Sequence, residues 1–337
     1  MKAIRKERAE AGLVMREICE PVCHSGEVKI KILLSSFCPT DLMIDRWTEW
    51  AAINITLPVT IGHEFVGEIV EVGEGVNNFM IGEIVSAEDR IPCFGCNTCN
   101  SGFPHLCPTQ RHLGANFDGC CAQYLVIPAN LLVSIPQGFP LEVAAFMSFW
   151  GIPVHAVTLS SLKGKRVLIT GMGIMGMLAA TTAAYYEPDG LVYLTKNRND
   201  CKKLNGIQTL IADESNREEL NSILGPHSFD LIISLGGGYL TFNKAVEILK
   251  ENGEINLLSF GESCDPEWRA FSAKGIRING ISGRRIFQDW GNMLELVKKG
   301  IDIKKFVTHV MPYTDYERAL EIVWEDPCAK VLLDWRT

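Results

Sequence analysis

The sequence predicts an α/β protein in two parts: a mainly β first part, then a doubly wound parallel sheet. Three observations carry this. Residues 1–147 hold short alternating apolar runs broken by Gly, Pro and Asn clusters. From Lys163 onward strand-like and helix-like runs alternate, the pattern of βαβ units. A glycine fingerprint, Gly171-Met-Gly173-Ile-Met-Gly176, directly follows the first strand of that series.

In the first part, residues 28–33, 68–72 and 124–128 read as strands, because apolar side chains at every second position give one face to a core. The second part opens with a buried strand over 166–170 and an apolar helix to about Tyr186. Strands over 191–195, 230–234 and 254–258 then alternate with helices over 217–224 and 242–250. The end of the chain reads as a helix over 290–299 and a strand over 330–333. No repeat or low-complexity tract interrupts the series. The expected domains are 1–147, 148–290 and a segment 291–337 that returns to the first.

The chain has 337 residues, 47 % hydrophobic and 21 % charged, which fits an ordinary soluble protein of about two domains. Twelve cysteines without a secretory leader point to a reducing cytoplasm, where thiols bind metal or fill cores. A net charge of −8 argues against nucleic acid or an anionic membrane as partner. The uncharged stretch 167–186 could pass for a membrane span. Gly171, Gly173, Gly176, Thr170, Thr181 and Thr182 interrupt it, and a buried strand-turn-helix is the better reading.

Cys93, Cys96, Cys99 and Cys107 form a C-x2-C-x2-C-x7-C run in a loop-rich lobe at about residues 90–110. Two-residue spacers let neighbouring sulfurs point inward around one tetrahedral zinc. Two disulfides or an iron–sulfur site are the rival readings. Four protein ligands would close the coordination sphere, so the expected role is structural.

In the fingerprint, Gly171 permits a tight turn, Gly173 lets backbone approach a pyrophosphate, and Gly176 allows close helix–sheet packing. Ile174 and Met175 open the helix whose N–H groups would face the phosphates. The nicotinamide dinucleotides differ at the end of the next strand, where an acidic residue would hold the ribose hydroxyl of NAD. Here Thr195, Lys196 and Arg198 occupy that turn, which favours NADP(H) over NAD(H) by charge, with a solvated basic turn as the bland alternative.

A second constellation lies upstream in Cys38-Pro-Thr40-Asp41 and Gly62-His63-Glu64. With Gly62-His-Glu-Phe-Val-Gly67, Tyr124-Leu-Val-Ile-Pro128 and Thr308-His309, it makes nearly the whole chain resemble the zinc-dependent medium-chain alcohol dehydrogenases. Those enzymes join a GroES-like catalytic domain to a Rossmann domain. Trp47-Thr-Glu-Trp50, Gly283-Arg284 and Phe287-Gln-Asp-Trp290 are similar to the L-threonine 3-dehydrogenase branch.

The resemblance implies hydride transfer between NAD(P) and a secondary alcohol or ketone. The substrate would be an amino alcohol, with polyols, sugar alcohols or aminocyclitols as the alternative. It also implies a catalytic zinc held by Cys38 and His63, with Glu64 as a third ligand or a carboxylate close beside them, hence two zinc ions per chain, and a homo-oligomer, dimer or tetramer. That zinc would act as a Lewis acid on the substrate hydroxyl. Thr40 would pass on the hydroxyl proton, and Asp41 would orient the loop or the His63 ring.

Two segments depart from the family pattern. In C-G-T-D-x-H the final histidine ends a proton relay, and here Met43 stands in its place. Ser148 replaces a carboxylate, and Ile152 replaces an asparagine. A threonine pocket is therefore expected to be rebuilt, or turnover to be weak, leaving a zinc- and NADPH-binding protein. Trp150 fits either core packing or substrate contact. Cys19, Cys23 and His24 read as a turn, Cys120 and Cys121 as core thiols, and His105, His112, His155 and His309 as structural or surface residues.

Overall fold

The computed structural model describes the chain except residues 172, 196–197, 205–206, 208, 214–215, 237–239, 260–265 and 337. It forms two compact units: residues 1–149, 285–291 and 306–337, and residues 150–284 and 292–305. The end of the chain thus differs from a single return at residue 291, because residues 292–305 stay with the second unit.

The first unit is built on a seven-stranded sheet. Leu132–Ser134, Ile84–Ala87, Phe65–Val72, Glu27–Ser36, Val331–Asp334 and His309–Pro312 lie in that order, and Tyr124–Pro128 also pairs with Glu27–Ser36. Val28, Ile30 and Ile32 alternate into a core with Ile69, Val85, Leu125 and Ile127. Glu27–Ser36 runs beyond the expected 28–33. Its last residues are polar yet buried, because Ser35 pairs with Phe65, Ser36 pairs with Leu332, and the Trp335 indole donates to Ser35 Oγ at 2.8 Å. A polarity pattern misses a strand end that is covered on both faces.

The second unit holds a six-stranded parallel sheet in the order Leu210–Asp213, Gly190–Thr195, Arg166–Thr170, Phe229–Leu235, Leu249–Ser259, Arg277–Gly280. This is the doubly wound arrangement read from the alternating runs. Val192, Leu194, Ile232 and Ile255 form its apolar interior with Leu220, Phe242 and Ala245 of the helices. The stretch 167–186 is the central strand and the helix Gly173–Ala184. Among the described residues no helix is long and apolar enough to cross a membrane.

Candidate active site and metal centre

The two halves of the upstream constellation meet because their strands are antiparallel. Ser35 pairs with Phe65, and the Ser36 N–H donates to the Glu64 carbonyl at 2.9 Å. Cys38, just beyond one strand, therefore faces His63 and Glu64, just before the other. Gly62 lets the second segment arrive. It has φ +92°, and a Cβ there would lie 2.4 Å from Cys121 Sγ.

Cys38 caps the short helix Pro39–Asp45. Its Sγ accepts from the Thr40 N–H at 3.3 Å, and its own N–H donates to Asp41 Oδ2 at 2.9 Å. Cys38 Sγ lies 3.1 Å from His63 Nε2. Burial pushes the thiol above its ordinary range, offset in part by His63. Burial opposes a charged His63 ring, yet Cys38 and Asp41 hold its pKa well above the imidazole range. Asp41 Oδ1 stands 3.9 Å from His63 Nδ1, so this carboxylate fixes the Cys38 backbone and meets the ring only through its charge.

Glu64 is 1 % exposed and pairs with the equally buried Lys330, whose Nζ lies 2.5 Å from Oε2 and donates to the Phe37 carbonyl at 3.2 Å. Lys330 also sits 4.4 Å above the Phe149 ring. Glu64 Oε1 is buried with no hydrogen-bond partner. An orphaned carboxylate oxygen beside a thiol and an imidazole is the donor set of a divalent metal, and the three ligand atoms lie within 4.8 Å of one another. The residues fit a zinc ion.

Sequence reasoning passed over Lys330. Its signal was a lone cation in the run Ala329-Lys-Val-Leu-Leu333, which a buried strand tolerates only with a counter-charge. His112 reads from the sequence as a structural or surface residue. It pairs with Arg90 across a two-stranded ladder, and burial, then Arg90, lowers its pKa.

The four cysteines of the lobe also converge. Cys96 Sγ–Cys99 Sγ is 3.5 Å, Cys93–Cys107 3.6 Å, Cys96–Cys107 3.9 Å and Cys93–Cys99 4.0 Å. Tetrahedral zinc–thiolate bonds place sulfurs roughly 3.8 Å apart, whereas a disulfide needs about 2.05 Å. N–H groups of Gly95 and Cys96 lower the Cys93 thiol to about 6, while desolvation and the neighbouring thiols push Cys99 up to about 12. Four such sulfurs ionise together only around a cation.

In the second unit Gly171 leaves the central strand Arg166–Thr170 beside Phe229–Leu235, where the sheet changes direction. Gly173 (φ 59°), Ile174, Met175 and Gly176 form the first turn of Gly173–Ala184, whose N–H groups suit a pyrophosphate. Thr195 ends its strand buried. Arg198 opens the turn Arg198–Leu204, and Lys196 lies outside the described residues.

The remaining expectations are placed as follows. Thr40 and Met43 are half-buried on the helix that Cys38 caps, and Ser148 is buried. Trp150 is fully buried with its indole N–H on Thr182 Oγ1 at 2.9 Å, which makes it core. His155 Nδ1 lies 2.8 Å from the Gly283 carbonyl, a structural role.

The profile of the alcohol dehydrogenase GroES-like domain matches residues 24–137. The L-threonine 3-dehydrogenase of Xanthomonas axonopodis pv. citri is 33 % identical over 99 % of this chain and 100 % of its own length. An alcohol dehydrogenase of Escherichia coli CFT073 complexed with NADH superposes with a TM-score of 0.88 at 24 % identity, covering 99 % of both chains. The 2R,3R-butanediol dehydrogenase of Bacillus subtilis gives 0.87 at 24 % identity with the same coverage. These two share the fold. Identity to the threonine dehydrogenase along the full length decides the family: the chain belongs to the zinc-dependent medium-chain alcohol dehydrogenases.

Proposed function

We propose that this dehydrogenase oxidises a small secondary alcohol carrying a neighbouring polar group, with NADP(H) preferred and two zinc ions per chain. Cys38, His63 and Glu64 would hold one zinc, and Cys93, Cys96, Cys99 and Cys107 the other. The observation that carries the reading is the buried cluster of Cys38 Sγ, His63 Nε2 and the partnerless Glu64 Oε1. When bound, zinc acidifies the substrate hydroxyl and the nicotinamide takes up the hydride.

The chain's own residues supply the rest. Asp41 pins the Cys38 backbone, and Lys330 holds one oxygen of Glu64, leaving the other for the metal. Thr40 takes the hydroxyl proton at Oγ1 and passes it to water, because Met43 has no group that carries a proton. Gly171, Gly173 and Gly176 let backbone and the helix start meet the pyrophosphate, with Ile174 and Met175 in that first turn. Thr195, Lys196 and Arg198 favour a 2′-phosphate.

The threonine 3-dehydrogenase relative supports an amino alcohol as substrate. Met43 and Ser148, where the family pattern has a histidine and an acid, favour a neutral polyol as the second reading. The test is kcat/KM for L-threonine against butanediols and sugar alcohols, with NAD and NADP, on zinc-loaded protein. A higher value for L-threonine supports the amino alcohol, and a higher value for a diol supports the polyol. Failure to turn over any alcohol or ketone overturns the dehydrogenase reading. Tighter binding of NADH than NADPH would sink the cofactor preference.

A further inference from the structure

We infer that Tyr193 is a positioning residue for the dinucleotide: it bridges the first and third glycines of the 171–176 loop from beneath and holds that loop in its binding shape. The inference rests on the reading of 171–176 as the dinucleotide loop.

Tyr193 lies in the parallel strand Gly190–Thr195, paired with Ile169 and Ile211 and 1 % exposed. Its strand neighbours Leu191, Val192 and Leu194 are apolar, so a phenol here carries a desolvation cost unless its hydroxyl is bonded. The hydroxyl donates to the Gly171 carbonyl at 2.9 Å. The same ring fills the space beside Gly176, where a Cβ would lie 2.7 Å from Tyr193 Cε2 and 2.8 Å from its oxygen. The third glycine of the fingerprint is commonly required for close helix–strand packing. In this chain part of what it packs against is a side chain that also anchors the first glycine. One residue thus ties both ends of the turn to the sheet.

Two consequences separate this role from general stability. The phenol acts on the loop, which meets the part common to both dinucleotides, so its loss weakens NADPH and NADH alike. It also has no part in the chemistry, so KM for the dinucleotide rises while kcat at saturation is kept. The experiment is a fluorescence titration of zinc-loaded wild type, Tyr193→Phe and Gly173→Val with NADPH and NADH, together with melting curves and steady-state kinetics. Tyr193→Phe keeps the ring and its packing. Loss of one buried hydrogen bond predicts a Kd about three- to tenfold higher for both dinucleotides, with their ratio unchanged. Gly173→Val, which puts a side chain where backbone should approach phosphate, is expected to abolish binding. If Gly173→Val binds normally, the loop reading itself falls. If Gly173→Val abolishes binding while Tyr193→Phe stays within twofold of wild type, the inference falls, even if the variant melts at a lower temperature.

Discussion

The four-cysteine lobe and the Cys38–His63–Glu64 cluster both belong to the first unit, and they are assembled in opposite ways. The lobe draws its sulfurs from a single loop whose apolar side chains face solvent, Phe103 being 52 % exposed and Leu106 45 %. It has backbone N–H groups and sulfurs but little core. The cluster draws Cys38 from one segment and His63 and Glu64 from another, and it is enclosed by charge: Asp41, Glu64 and Lys330 are each at most 1 % exposed. On the proposed reading, a lobe without a core would depend on its metal for shape, whereas a cluster set on paired strands would keep its shape and bind metal for another purpose.

The largest expected effect follows from that contrast. Structural zinc contributes about 10–16 kcal/mol of apparent binding free energy in small domains, so Cys96→Ser should lose one zinc and much of the thermal stability. Cys38→Ser should lose one zinc and turnover while melting within a few degrees of wild type. Metal analysis with melting curves reads both, and equal melting losses would erase the distinction.

Next comes Lys330→Met. Removing one partner of a buried ion pair costs about 3–5 kcal/mol, and zinc bound beside Glu64 would supply the missing positive charge. The variant should therefore lose more stability without metal than with it, measured by denaturant unfolding of chelated and zinc-loaded protein. An equal loss in the two forms would argue that Glu64 does not sense the metal.

A smaller effect is expected for Gly62→Ala. Left-handed backbone at a non-glycine costs about 1–3 kcal/mol, and the new methyl must displace Cys121. Zinc should be lost from the Cys38 cluster and retained by the lobe, so metal content should fall by about half.

The most graded effect is that of pH. Protons and zinc compete for the same atoms, so a thiol held above its ordinary range must release its proton on binding, and affinity falls as pH falls. Cys93, at about 6, is ionised at neutral pH, but Cys99, near 12, is not. With Cys93 already ionised, the lobe has at most three thiols to deprotonate, against one thiol and one imidazole in the cluster. Chelator release of zinc between pH 8 and 6 should therefore steepen more in the lobe, and the reverse order would contradict this proton count.

Short-range spacing is legible along the chain. The cysteine run identified the lobe, because ligands two residues apart meet whatever surrounds them. The fingerprint and the alternating runs identified the doubly wound unit, because strand and helix periods are local properties of the chain. Cys38 and His63 were legible only through resemblance, since nothing local links residues so far apart. The antiparallel pairing of Glu27–Ser36 with Phe65–Val72 joins them. Lys330 was hidden because its counter-charge, Glu64, is distant in sequence and arrives only when Val331–Asp334 pairs beside Ser36. By sequence Tyr193 is one more strand residue, and only the fold brings its hydroxyl to the Gly171 carbonyl. Burial and partner identity depend on which strands become neighbours, and that is fixed by packing of the whole unit, not by any single segment.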